Sequence, residues 1–307
     1  MKHYSVLKKE LIDGLNINPD GIYVDATLGY AGDSSEILKR MKRGFLFAFD
    51  QDEEAIKYSN NVLKNISSNY KIIYSNFKNI KEKLYEENIS KVDGIIYDLG
   101  ISSPQIDEDY RGFSFMKDAE LDMRMDLSNS LTAKYVVNNY KQEELTNIFY
   151  KYGEEDFSKS IASAIVKARK SKEINTTLEL VEIIKTGVPY KYFVTKHPER
   201  RIFQAIRIEV NDELNVLSSS INDAIDMLKP GGRLCVITFH SLEDRIVKKI
   251  FKEKSEVNDL VKGLPIIPDE YKPIIKLINK KPILPSNEEL DENSRSKSAK
   301  LRIIERI

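Results

Sequence analysis

Three short stretches combine acids, glycines and hydroxyl side chains at spacings that suit chemistry on a small ligand. The first is Asp25-Ala26-Thr27-Leu28-Gly29-Tyr30-Ala31-Gly32-Asp33, whose glycines let the backbone turn sharply and pass close beneath a ligand. The second is Asp50, 21 residues after Gly29, near the spacing at which an acid reaches the hydroxyls of a nucleoside ribose. The third is Asp98-Leu99-Gly100-Ile101-Ser102-Ser103-Pro104-Gln105, in which an acid, a glycine, two hydroxyls and a proline make a tight polar corner. Each also has a plainer reading: a tight turn for the glycines, an Asx-type turn for Asp98. The sequence holds neither G-x-G-x-x-G nor G-K-[ST], so a nucleoside without a pyrophosphate fits better than NAD or ATP. S-adenosylmethionine is such a ligand. Phe77 is placed to lie against an adenine face, although a lone Phe is more often a core residue.

These residues meet only if they stand at the carboxyl ends of parallel strands, where open α/β sheets bind ligands. Apolar runs at 22–26, 45–49, 71–74 and 92–99 read as strands, and helical spacing at 34–41, 53–63 and 77–85 alternates with them, giving four βα units. The rhythm then breaks. Residues 106–195 hold helical patterns at 141–150, 156–170 and 177–186 with no convincing strand, so an all-helical insertion is expected. One long helix over 201–228 is expected to end at Lys229-Pro230-Gly231-Gly232, followed by a fifth strand at 233–239. Ser241 with an acid three residues on reads as a capping box, residues 286–298 as a surface helix and loop, and 299–307 as an edge strand. The expected division is 1–105 and 198–307 for an α/β domain and 106–197 for the insertion.

Composition narrows the classes. With 307 residues, 41% apolar and 31% charged, the chain is long enough for about two folded domains and too apolar to be disordered. No apolar run approaches the roughly 20 residues of a membrane span, and the start lacks a secretory core. One cysteine, Cys235, and three histidines allow no internal disulfide and no Cys/His zinc site, so a cytoplasmic, metal-free protein is expected. The 48 basic and 48 acidic residues cancel, but locally 190–207 carries five basic residues against Glu199, and 294–307 five against Glu305. Such runs are either solvated faces or phosphate contacts.

The chain resembles the RsmH (MraW) family of bacterial 16S rRNA cytosine-N4 methyltransferases along nearly its whole length. The matching stretches are Asp25 to Gly32, Asp98 to Gln105, Arg111-Gly112-Phe113-Ser114-Phe115, Leu121-Asp122-Met123-Arg124-Met125-Asp126, HPERRIFQAIRIEVNDEL at 197–214, PGGRLCVITFHSLEDRIV at 230–247, and Ser298 to Arg302. The resemblance implies a class I (Rossmann-like) S-adenosylmethionine-dependent methyltransferase with an inserted all-helical, RNA-binding domain. It also implies transfer to the exocyclic amine of a decoding-centre cytosine. Carried over by position, cofactor contacts fall on Ala31, Gly32, Asp33, Asp50, Phe77, Asp98 and Gln105. Two departures stand out: Ala31-Gly32-Asp33 where the family commonly has Gly-Gly-His, and Asn293-Ser294-Arg295 where it has Asn-Pro-Arg.

The amine of cytosine is a poor nucleophile, so an acceptor on its N–H is expected, with Asp98, Ser102 and Ser103 as candidates. His240 lies at the same sheet edge. The target base must be splayed out of folded 16S rRNA, and Arg111, Lys196, Arg200, Arg201, Arg295 and Lys297 are the candidates to hold its phosphates. Competing readings are a methyltransferase of the same fold acting on another RNA or a small molecule, and a catalytically silent ribosome assembly factor.

Overall fold

The computed structural model describes residues 6–100, 111–257, 261 and 264–307, apart from the side chains of Ser294 and Arg295. Two compact units divide the chain: Met1–Gly100 with Leu214–Ile307, and Ile101–Glu213.

The first unit is built on a seven-stranded sheet of β1 (Ile22–Asp25), β2 (Phe45–Asp50), β3 (Tyr70–Tyr74), β4 (Val92–Asp98), β5 (Leu228–Thr238), β6 (Ile275–Leu277) and β7 (Lys300–Arg306). Their order is β3-β2-β1-β4-β5-β7-β6. The first five run parallel and β7 is antiparallel to both neighbours. Because side chains alternate along a strand, each central strand buries both faces. Phe47, Phe49, Ile95, Tyr97 and Val236 point into one apolar layer. Leu46, Ala48, Ile96, Cys235 and Ile237 point into the other.

Three helices supply each layer. The first layer is closed by α4 (Ile80–Glu86), α11 (Glu213–Met227) and α12 (Ser241–Ser255). The second is closed by α1 (Lys8–Leu15), α2 (Gly32–Arg40) and α3 (Glu53–Leu63). The expected edge strand at the C-terminus is therefore internal, between β5 and a three-residue β6 too short for its period to register in the sequence.

The second unit is helical: α5 (Ala133–Asn139), α6 (Gln142–Gly153), α7 (Ser158–Ala168), α8 (Thr177–Thr186), α9 (Tyr190–Lys196) and α10 (Pro198–Asn211). These helices, α9 apart, pack fully buried Val136, Phe149, Ile161, Leu180 and Ile206 into one core with Leu121 and Met123 of the preceding loop. The expected long helix over 201–228 is two helices. Asp212 adopts φ 50° and breaks it, a left-handed conformation that Asp tolerates better than most residues. Arg207 bridges the break with two 2.8 Å bonds to Glu213. The helix before the break buries Ile202, Phe203 and Ile206 in the helical core, and the one after it buries Leu217, Ile221 and Ile225 against the sheet. The helical unit thus runs to Glu213 rather than to residue 197. Among the described residues no helix is long and apolar enough to cross a membrane.

Candidate active site

Neighbouring strands β2, β1 and β4 end in Asp50, Asp25 and Asp98. The loop after β1 ties them together. Gly29, at φ 49°, donates its N–H to Asp50 Oδ2 at 2.8 Å, while Thr27 Oγ1 accepts the N–H of Asp98 at 2.7 Å. Asp52 N–H donates to the other oxygen of Asp50 at 2.9 Å, so both carboxylate oxygens are oriented by backbone. Burial pushes Asp50 up to about 6 despite these backbone bonds and a further one from Gln51.

Ala31 stands at φ 63° and caps α2, a left-handed conformation costing a non-glycine residue about 1 kcal/mol. Gly32 opens the helix and Asp33 occupies its first turn, where a negative charge complements the positive helix end.

Asp98 is surrounded by acids. Burial raises its carboxyl well above the ordinary range, and the nearby carboxylates of Asp33, Asp25 and Glu243 raise it further. Its Oδ1 is buried with no hydrogen-bond partner among the described residues. Asp25, raised by burial, is held by the Ser34 hydroxyl at 2.7 Å and the Thr27 N–H at 3.0 Å. A buried carboxyl with an uncommitted oxygen and three further acids nearby favours a cation over any neutral or anionic occupant.

The remaining candidates divide. Ser102, Ser103 and Gln105 lie outside the described residues, as does the Arg295 side chain. Phe77 begins the short 3-10 turn after β3, half-buried, with its ring edge-on to Tyr97 at 5.5 Å. It packs on the sheet core. His240, not Ser241, caps α12, and the box partner is Glu243, whose Oε2 accepts the N–H groups of Phe239 and His240 at 2.8 and 3.2 Å. Asp244, which the sequence offered as that partner, binds Arg302 instead at 2.7 Å. His240 Nδ1 accepts the Glu243 N–H at 3.4 Å in this cap, while Nε2 is buried with no hydrogen-bond partner among the described residues.

Arg111 is 3% exposed and donates to the carbonyls of Arg124 and Met125 at 3.0 and 3.3 Å, which corrects the expectation of a phosphate contact: its charge is spent inside the helical unit. Arg201 is half-used in the same way, lying 3.4 Å from the fully buried carboxylate of Glu155. Lys196, Arg200 and Lys297 are exposed and have no ion-pair partner among the described residues.

Sequence reasoning placed Asp25 and Thr27 in a candidate stretch without giving either a role, and missed Glu243 as part of the site. The Asp25-x-Thr27 spacing of an Asx turn carried a usable signal for two of them; the third is brought in only by the cap of α12.

A 3-2-1-4-5-7-6 sheet with an antiparallel seventh strand, and with acids and a tight glycine turn at the carboxyl ends of β1, β2 and β4, defines a Rossmann-like methyltransferase of class I. Sequence comparison narrows this. The chain belongs to the MraW methylase family, whose model matches residues 1–307. It is 53% identical over 307 residues to ribosomal RNA small subunit methyltransferase H of Exiguobacterium sibiricum, covering 100% of this chain and 98% of that one. Solved structures it is similar to include an rRNA methylase from Streptococcus thermophilus, at 12% identity over 98% of this chain and 93% of that one, with a TM-score of 0.44. Another is a Streptococcus mutans protein assigned as a methyltransferase and solved with SAH, at 14% identity over the whole of both chains and a TM-score of 0.43.

Proposed function

We propose that this protein is a cytoplasmic S-adenosylmethionine-dependent methyltransferase that modifies the N4 amine of a cytosine in 16S rRNA of the small ribosomal subunit. The observation that supports it most directly is that one loop, through Gly29 and Thr27, fixes two acids on either side of it, Asp50 and Asp98. The residues fit the cofactor: Asp50 presents oriented acceptors to ribose hydroxyls, and the acidic group around the uncommitted Asp98 Oδ1 suits a ligand that carries a sulfonium and an ammonium. When bound, the cofactor supplies an electrophilic methyl carbon. Asp98 then holds the amine N–H in line with that carbon and accepts its proton, a role that proximity to positive charge favours by keeping the carboxylate ionised.

The substrate assignment draws on family membership and on the relative named above. It is tested by incubating the protein with labelled S-adenosylmethionine and small subunits from cells lacking the gene, followed by mass spectrometry of digested 16S rRNA. N4-methylcytidine at one position is the expected product. Label on small metabolites alone, or on no RNA, would replace the reading by a small-molecule methyltransferase or a silent assembly factor.

A further inference from the structure

Within the helical unit, α7, the turn before it, the start of α6 and the end of α8 enclose an open groove of about 920 Å³ that no part of the reaction uses. Its base is closely set. A Cβ on Gly187 would come within 2.9 Å of the Ile161 backbone, and the Ser160 hydroxyl donates to the Gly187 carbonyl, so α8 ends directly against α7.

Along α7, Ile161, Ala162 and Ile165 face the core, while the groove is lined by Ser160, Ser163, Ala164 and Ala168, with Lys159 and Lys167 as cations and Asp156, just before the helix, as an acid. Helix α7 itself contains no acid, and neither Lys159 nor Lys167 has an ion-pair partner among the described residues. The groove lining therefore carries two cations against one acid, a local excess of positive charge in a chain whose 48 basic and 48 acidic residues balance.

We propose that this groove is a track for the phosphodiester backbone of the RNA substrate, with Lys159 and Lys167 each neutralising one phosphate. The inference rests on the RNA substrate proposed above. The lysines are eight residues apart on one helix, about 12 Å along its axis, so they address two phosphates rather than one. Small side chains between them let a backbone approach closely, and the exposed Ser163 and Ser171 hydroxyls lie along the way as donors. Groove residue Phe157 packs its ring 4.6 Å from Tyr192 of α9, the helix that carries Lys191 and Lys196.

The test is the double variant Lys159→Ala/Lys167→Ala, both positions being exposed and outside the core. Binding of protein-free 16S rRNA from cells lacking the gene is measured by filter retention across a salt series. The dependence of log affinity on log salt should flatten by about 1.4–1.8, two phosphate contacts at about 0.7–0.9 each, with the KM for small subunits raised and S-adenosylmethionine affinity unchanged. An unchanged slope and affinity overturns the proposal. So does weaker binding to assembled subunits with unaltered binding to protein-free rRNA, which would assign the groove to a ribosomal protein. Failure of the functional reading is seen separately, as absence of methyl transfer by the unaltered protein.

Discussion

The ligand edge of the sheet unit and the accessible surface of the helical unit handle charge in opposite ways. At the sheet edge, Asp25, Asp33, Asp98 and Glu243 are drawn together under burial with carboxyl groups raised above their ordinary range at Asp25 and Asp98, and the backbone holds Asp50 from two sides. Such a cluster is costly until a cation enters it. In the helical unit buried charges have partners within the unit: Arg111 donates to two carbonyls, and Glu155 meets Arg201 and the Tyr192 hydroxyl, the latter at 2.7 Å. Its free charges, Lys159, Lys167, Lys196 and Arg200, stay in solvent. The sheet unit stores an unmet demand for one small ligand in a fixed place. The helical unit spreads weak, salt-sensitive attraction over a surface, which suits a large polyanion whose contacts are individually replaceable.

If that contrast is right, the largest effect belongs to the least compensated acid. Asp98→Asn keeps the shape but removes the acceptor, and single-turnover methyl transfer should fall by about 10²-fold or more while cofactor affinity falls much less. Equal losses in the two would make Asp98 a cofactor ligand only. Next comes Arg111→Ala, which leaves two half-buried carbonyls without this donor and should cost about 1–3 kcal/mol in denaturant unfolding, with the salt dependence of RNA binding unaltered. A flattened slope without destabilisation would return Arg111 to the RNA interface.

Asp50→Ala should weaken S-adenosylmethionine by about 1–3 kcal/mol in calorimetry. With the carboxyl of Asp50 raised to about 6, wild-type affinity should also decline below that pH, since a protonated acid must first lose its proton to serve as an anionic acceptor. The sign for stability is opposite. The native state binds this proton more tightly than the unfolded chain, so the contribution of Asp50 to stability rises as pH falls from about 6 towards 4. Asp122 in the helical unit behaves the other way. Burial alone would raise its carboxyl, but the side-chain and backbone bonds from Arg124 together with the charges of Arg124 and Arg111 lower it on balance, so its contribution is lost as pH falls below the unfolded value. Affinity that is flat between pH 7.5 and 5.5 would remove Asp50 as a charged ligand.

The smallest effects separate two adjacent arginines. Arg201→Ala should cost about 1–2 kcal/mol of stability by exposing the buried charge of Glu155. Arg200→Ala should leave stability within about 0.5 kcal/mol and reduce the RNA salt slope by about 0.7–0.9. The reverse pattern would break the division between internal and solvent-facing cations.

Much of this protein is legible in local sequence. Strands β1, β2 and β4 announce themselves as apolar runs ending in Asp, and the rule that parallel sheets bind at their carboxyl edge then selects Asp50 and Asp98 without any coordinates. The glycine turn between them and the helical periods at 141–150 and 177–186 are local too, because turns and periodicity depend on neighbours in the chain. What the tertiary structure decided is which charges are available. Arg111 and Arg200 look alike as sequence, yet one is sealed beneath the carbonyls of Arg124 and Met125 and the other faces water. Asp212 carries no helix-breaking signature, yet the helix before it buries its apolar side chains in the helical core and the one after it in the sheet core. Likewise the acid group around Asp98 gathers Asp25, Asp33 and Glu243 from three elements, including one more than a hundred residues away. Burial, and with it the ionisation and availability of each charged side chain, is set by contacts between distant segments, so no spacing within one segment encodes it.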